Sequence, residues 1–500
     1  MTPNQGMFME TLLVIDQGTH STRAIVFNQH GHALAQSQYP VVVTTSDDGH
    51  VEQEVLATIQ SVRECLAHLE KTLSRDTADS LIGIALIAQR SSFVACRPTD
   101  MANLTEVISW QDTRSLPWLV HQPIDGEFIH NMTGLHLSVH YGASKMRWLL
   151  DNDAKVQAAD DDGDLQFVPL AAFMCQRLTD APVFLVDRDI AARTLLCRFG
   201  GRDWDTELLD VFGLENRQLP DIIDSLHTYG DVSFCGRQVP LIFSGGDQSL
   251  LPLAWGEEAL HASVMVNVGS GACIQAVERK PRKVADVPEE LLHMHLNLRH
   301  NGQLEDCLVL EGTLNAAATA VDWLAEQCGH PFSYSDIEDA LEQIHNPPVF
   351  INRLRGSGSP YWLNAGRPWF EEKETDSLSD AARLVAVIES IIFLLVDNLV
   401  LMQQTKLTVN RIYISGGLSR SHGFCQKLAN LSNKTVLRMD DSEACARGAA
   451  TYVFMRLGIA DIDDEEIRRQ AGQFFPLLDN GLNARFMRHR QGMEDARQKM

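Results

Sequence analysis

Two copies of one device, half a chain apart, limit what this sequence can become. The first runs from Leu12 to Phe27, where the apolar runs Leu12–Ile15 and Ala24–Phe27 flank a polar loop that opens on Asp16 and holds Gly18, Thr19, Ser21 and Arg23. β-prone runs about so short a loop predict a strand-turn-strand hairpin. The second copy, 263–277, sets Val264–Val268 and Cys273–Val277 about Gly269, Ser270, Gly271 and Ala272. The recurrence predicts an internal duplication, two domains facing one another with a loop on each.

The loop residues point to phosphate chemistry. Asp16 ends a buried strand, where a carboxylate is costly unless a cation compensates it, and Mg²⁺ held through water is a common partner. Gly18 lets backbone amides come close, and the Thr and Ser hydroxyls can donate to phosphate oxygens. The plainer reading is a hairpin whose Asp caps its own turn. The second copy favours the cradle.

Five hundred residues exceed one core, so two domains are expected. The boundary is placed just after the Gly-Gly-Asp-Gln turn at 245–248, giving domains 1–255 and 256–500. A net charge of −24 argues against nucleic acid or an anionic membrane as partner. The ten cysteines stand singly, with no Cys-x-x-Cys pair, which fits a reducing compartment and a cytoplasmic protein. The opening residues lack a basic segment followed by an apolar one, so no signal peptide is expected. Leu384–Met402 is apolar but carries Glu389, Ser390, Asp397 and Asn398, which predicts a buried helix rather than a membrane span.

Along the chain, Ala33–Val43 reads as a strand. Val55–Lys71 reads as a helix with Leu56, Ile59, Val62, Cys65, Leu66 and Leu69 inward. Leu81–Ile87 reads as a buried strand ending near Arg90, and Thr105–Trp110 as a short strand. Asp160–Asp164 reads as a solvated loop, and Ser249–Trp255 is helix-prone. Glu311 is a candidate cap for the helix that opens after Asn315. Alternating strands and helices predict α/β layers, whose ligands lie at strand ends, so Arg90 is placed to meet one.

Taken together, these pieces resemble the FGGY carbohydrate kinases, most closely the glycerol kinase branch, from about Leu12 to Pro476. The likeness rests on Asp16–Arg23, Gly49–Gln53, Trp110–Arg114, Lys145–Trp148, Gly246–Gln248, Gly269–Gly271, Leu310–Gly312, Gly358–Trp362, Ser415–Gly417 and Gly448–Ala450, in that order. It implies an α/β architecture of two ribonuclease-H-like (actin-like ATPase) domains about a central cleft, with ATP and Mg²⁺ as cofactors and a small sugar or polyol as substrate. By that match Asp16 meets the metal through water, while Gly18, Thr19, Ser21 and Arg23 face the terminal phosphate. Gly269, Ser270 and Gly271 hold phosphates, and Gly416 and Gly417 accommodate adenosine. Arg90, Ser91, Trp110, His140, Asp247 and Gln248 line the substrate site, with Asp247 as catalytic base. The tail after Pro476 reads as polar and charged, and a homo-oligomer is compatible with all of this.

The chemistry agrees with those roles. Phosphoryl transfer needs positioning and charge neutralisation. A carboxylate of pKa near 4 cannot strip an alcohol beforehand, so Asp247 orients the hydroxyl and takes its proton late. The departures concern the acceptor. Where the glycerol kinase branch has a glutamate after the arginine, this chain has Ser91. Where it has a pocket tyrosine, this chain has His140 with Tyr141 beside it, and where it has an aromatic residue, this chain has Cys273. Loss of a carboxylate that chelates two hydroxyls removes charge-assisted hydrogen bonds of roughly 1.5–3 kcal/mol. That speaks against glycerol, and the smaller side chains at 91 and 273 suggest room for a longer sugar or polyol. The rival reading is a catalytically silent sugar- or nucleotide-binding regulator.

Overall fold

The computed structural model describes residues 9–279, 283–300, 303–371, 378–439, 443–459 and 472–499. The chain divides into two compact units. One comprises Met1–Ala254, Asn297–Glu305 and Cys445–Ile462, and the other Trp255–Leu296, Asp306–Ala444 and Asp463–Met500.

The first hairpin forms as expected, Thr11–Gln17 against Ser21–Asn28, with Asp16 opposite Arg23. It lies inside a six-stranded sheet ordered Leu226–Phe234, Arg237–Gly246, Leu81–Ala88, Thr11–Gln17, Ser21–Asn28, Ala33–Pro40. The last three form an antiparallel meander. Leu81–Ala88 runs parallel to Thr11–Gln17, and Arg237–Gly246 parallel to Leu81–Ala88. Central strands covered on both faces need unbroken apolar runs rather than alternation, which is why Leu12–Ile15 and Ile84–Ala88 are wholly buried.

The second unit repeats this order and polarity. Ser263–Val268 pairs antiparallel with Ala272–Glu278, and that strand with Gln303–Leu314. On its other side lie Arg411–Ser415 and then Thr435–Arg438, both parallel. The shared pattern is the ribonuclease-H-like sheet that the resemblance implied, present twice.

The helix Val55–Thr72 packs on the meander through Val55, Thr58, Ile59, Val62, Cys65, Leu66 and Leu69. Leu56, expected on the inner face, is 70% exposed, because Val55 and Ile59 already define a stripe that position 56 falls beside. Elsewhere the strand expected at Thr105–Trp110 is reduced to Val107–Ile108, and Leu251–Trp255 forms a 3-10 turn rather than an α-helix. The acidic run begins inside the helix Ala154–Asp161, whose first amides bond to the Asp153 carboxylate. The helix Ala318–Cys328 has Ala317, not Glu311, at its N-cap. Glu311 sits in the strand Gln303–Leu314, fully buried, accepting from Gln275 Nε2 at 2.7 Å.

The helix Asp380–Gln404 is long and apolar enough to cross a membrane by length and composition, but 89% of its most apolar stretch is buried inside the protein. Its Asn398 explains Gly312: a Cβ there would lie 2.1 Å from Asn398 Oδ1.

Candidate active site

The parallel strands of the first unit carry its chemistry to one edge. Asp16 lies opposite Ile87 across one side of the strand Leu81–Ala88, and Gly245 lies opposite the same Ile87 across the other. The next residues past that second strand are Gly246 and Asp247, and the Asp247 amide donates to Ala88 O at 2.8 Å. Asp16 and Asp247 therefore leave the sheet at the same end with one strand between them. At the usual strand spacing their backbones are about 10 Å apart. Parallel strands ending together make the edge at which α/β sheets bind ligands.

Each residue on this edge is held by a local cause. The Asp16 carboxylate is almost buried and has the Arg23 guanidinium at 3.8 Å. The Gly18 amide closes the turn onto Ser21 O at 3.0 Å. A Cβ at Gly246 would lie 2.5 Å from Arg90 Cγ, so the stem of Arg90 lies across the glycine that precedes Asp247. Ser91 is buried, and its hydroxyl donates to Arg193 O at 3.4 Å. Gln248 lies in the turn just before the 3-10 segment Leu251–Trp255, its carbonyl accepting from Leu251 N.

Trp110 and His140 are brought together, ring centroids 5.1 Å apart. Tyr141, the alternative to His140, is fully buried and starts the helix Gly142–Asn152. The side chain against Trp110 is thus the imidazole. Beneath both lies Lys145, a residue whose part here the sequence did not announce. It is fully buried, and its Nζ donates to Ser109 O at 3.0 Å, His140 O at 3.2 Å and Trp110 O at 3.4 Å. Burial pulls its pKa down to about 7, with Asp112 opposing the shift and Arg114 adding to it. Three carbonyls match the three hydrogens of an ammonium group, so one side chain fixes both pocket segments.

The other motifs close around this anchor. Asp112 is fully buried, accepts from Val51 N at 2.7 Å and meets Arg114 through paired hydrogen bonds of 2.8–3.0 Å. Arg114 reaches Glu52 as well and lies over the Trp148 ring, 5.4 Å from its centroid. The stretches Gly49–Gln53, Trp110–Arg114 and Lys145–Trp148 are therefore one buried cluster that positions the pocket.

In the second unit the repeated loop is fastened by the start of the helix Ala318–Cys328. Ser270 O accepts from Ala317 N and from the Thr319 hydroxyl, and Gly269 O accepts from Ala318 N, all within 2.8–3.0 Å. Gly271 leads directly into the strand Ala272–Glu278. Gly416 has φ +89°, and a Cβ on it would lie 2.5 Å from Val268 O. Glycine is required there by conformation and by space together. Beside it, Gly417 O accepts from the Tyr334 hydroxyl at 3.2 Å, and the Arg420 guanidinium lies over that ring. No spacing in the sequence linked Tyr334 to this loop.

Comparison with known proteins agrees with this geometry. The model for the FGGY family of carbohydrate kinases, N-terminal domain, matches residues 11–251, and that for the C-terminal domain matches residues 264–457. A glycerol kinase of Enterococcus casseliflavus is 27% identical over 477 residues, covering 93% of this chain and 92% of that one. Among solved structures, a gluconate kinase from Lactobacillus acidophilus superposes with a TM-score of 0.79 at 20% identity, covering 98% of both chains. A Plasmodium falciparum glycerol kinase with ADP gives 0.79 at 19%, again over 98% of both. Two ribonuclease-H-like units, each with a loop at the same edge of the same sheet, and family matches spanning both, establish that the chain belongs to the FGGY family of carbohydrate kinases, ATP-dependent phosphotransferases acting on hydroxyl groups.

Proposed function

We propose that this kinase phosphorylates a sugar or polyol longer than glycerol, with Asp247 as the base that orients the accepting hydroxyl. The observation that carries this reading is the pair of carboxylates, Asp16 and Asp247, one strand apart at one sheet edge. That separation suits an alcohol at one carboxylate and a metal-bound phosphate at the other. Arg23 lies beside Asp16, and the stem of Arg90 lies across Gly246, next to Asp247.

The residues present fit a magnesium nucleotide. A single nearly buried carboxylate is what Mg²⁺ takes from a protein when phosphates and water complete its octahedron, and Asp16 supplies it. When bound, the ion neutralises phosphate charge. We assign phosphate contacts to Gly18, Thr19, Ser21 and Arg23 and to Gly269, Ser270 and Gly271, and adenosine contacts to Gly416 and Gly417. Asp247 accepts the hydroxyl proton late in transfer, and Gln248 and Arg90 orient the acceptor.

Pocket chemistry supports a longer acceptor. Ser91 spends its hydroxyl on Arg193 O and brings no carboxylate, and His140 faces Trp110 with an imidazole. A tetritol, pentitol, pentulose, hexulose, heptulose and aldonate panel, read by ADP release, tests the substrate class. With the best acceptor, Asp247→Asn should lower kcat by about 10²–10⁴-fold while MgATP still binds. Turnover within tenfold of wild type would remove Asp247 from that role. Glycerol outperforming every longer acceptor would overturn the substrate class.

A further inference from the structure

A closed ring of hydrogen bonds joins the alcohol pocket to the first phosphate loop. Trp110 N donates to Ser92 Oγ at 2.9 Å, and Ser92 Oγ donates to Gln89 Oε1 at 3.0 Å. Gln89 Nε2 donates to Gln53 Oε1 at 2.9 Å and to Gly18 O at 3.1 Å. Gln53 Nε2 donates to Thr19 O at 2.7 Å, and the ring closes where Trp110 Nε1 donates to Thr19 Oγ1 at 3.0 Å. Gln53, Gln89 and Ser92 are each at most 2% exposed.

We propose that Trp110, Ser92, Gln89 and Gln53 are positioning residues for Thr19, aiming its hydroxyl at the terminal phosphate. This rests on the assignment of the loop to phosphate made above.

The hydrogen count supports the direction of aim. Both Gln89 amide hydrogens are committed, one to Gln53 Oε1 and one to Gly18 O of the loop, and its oxygen receives the Ser92 hydroxyl. Thr19 is held at two points, its carbonyl by Gln53 and its hydroxyl oxygen by the indole, which fixes backbone and χ1 together. Because the hydroxyl oxygen accepts from Trp110, its own hydrogen remains for an outside acceptor. Every member of the ring is neutral, so the loop is ordered without a further charge beside Asp16 and Arg23. Buried amides that lost a partner here would keep the full desolvation penalty, so each bond of the ring is costly to break. Trp110 also packs on His140, so the wall that meets the alcohol and the loop that meets phosphate are one hydrogen-bonded body.

The test needs no knowledge of the acceptor, because MgATP binding and ADP release with water as acceptor report on the loop. Trp110→Phe keeps a ring and deletes the indole N–H, and Thr19→Val keeps the shape and deletes the hydroxyl. Each alone should weaken MgATP binding or slow ADP release by about five- to tenfold. In the Thr19→Val background, Trp110→Phe should then change either quantity by less than about twofold. Gln53→Leu should reproduce the MgATP defect, and with an accepted alcohol it should leave that alcohol's KM within about twofold. Melting temperatures of Trp110→Phe and Thr19→Val close to that of wild type exclude misfolding as the cause. Effects of Trp110→Phe and Thr19→Val that multiply, or a Trp110→Phe enzyme with wild-type MgATP behaviour, would overturn the ring as a positioning device. Wild-type protein that does not bind MgATP at all would overturn the phosphate-loop assignment itself, and the ring's role with it.

Discussion

At the scale of single residues, the positions that matter most are those where a side chain is forbidden. Gly416 combines φ +89° with a Cβ position 2.5 Å from Val268 O, so alanine there must both strain its own backbone and displace the end of a central strand. Gly416→Ala should cost at least about 2 kcal/mol in denaturant unfolding, and nucleotide affinity should fall with it. Gly329 is the internal control: its φ is +76° but a Cβ would meet nothing within 4 Å, so Gly329→Ala should cost about 1 kcal/mol and leave nucleotide binding alone. Equal costs at the two sites would show that close approach at 416 carries no energy. The Gly-Gly pair was legible in the sequence because glycines after a strand advertise such approaches. Lys145 and Gln53 stood inside motifs visible in the sequence, but their roles, like that of Gln89, were not legible, since these come from partners that only the folded chain gathers.

At the scale of elements, the hairpins were legible because short apolar runs about polar loops leave few alternatives, whereas the last helix was not. The segment after Pro476 reads as charged tail, yet Asn480–Gln498 is a helix that buries Leu482, Arg485, Phe486, His489, Met493 and Ala496. The spacing of these positions is helical, but an arginine and a histidine on the inner face hide it from a hydrophobicity count. Arg485 is buried against Glu389 of the helix Asp380–Gln404, through bonds of 2.6 and 2.7 Å, with Lys427 at 2.9 Å. Arg485→Met should destabilise by about 3 kcal/mol because it strands most of a buried carboxylate, and Glu389→Met in the same chain should restore much of the loss. Urea unfolding of the single and double variants checks this, and an additive double variant would refute the pairing. His489 gives the same interface a pH dependence. Burial, with Arg490 adding, holds its imidazole down at about 3. Between that value and the unfolded value of 6.5 the unfolded chain binds more protons, so stability falls as pH drops through this window. Asp397 opposes it: burial outweighs Arg490 and lifts the carboxyl to about 6, so between pH 6 and 3.8 the folded state holds the extra proton and gains stability. His489→Leu should therefore flatten or invert the decline in unfolding midpoint between pH 6.5 and 4.5, and an unchanged slope would assign the acid sensitivity to other groups.

At the scale of the whole molecule, the duplication was legible in the sequence but the return of the chain was not. A boundary near Gly256 places everything after it in the second half, and the family match to the C-terminal domain likewise runs to residue 457. Structurally, however, Cys445–Ile462 belongs with the first unit. The helix Ala444–Leu457 contacts that unit's sheet and its turns: Arg447 Nε donates to Gly31 O at 3.1 Å, and the Tyr452 ring meets Phe243 with centroids 5.6 Å apart. Gly448 comes so near the backbone that a Cβ would lie 2.0 Å from Leu250 O. Sequence order cannot reveal this, because the helix follows strands of the second sheet and its small residues only say that something packs closely. The consequence is that residues 1–254 are not a self-sufficient domain. Expressed alone, that fragment leaves Phe243 and the backbone about Leu250 without their cover, so it should unfold at lower urea concentration than the same unit in the full chain and bind an apolar dye. A fragment that also carries residues 443–459 on a flexible linker should recover a steeper, later transition, since docking this helix buries apolar surface at about 25 cal/mol per Å². If 1–254 alone unfolds as late and as cooperatively as the first unit does in the intact protein, the returning helix contributes no stability, and its close fit at Gly448 serves something other than folding.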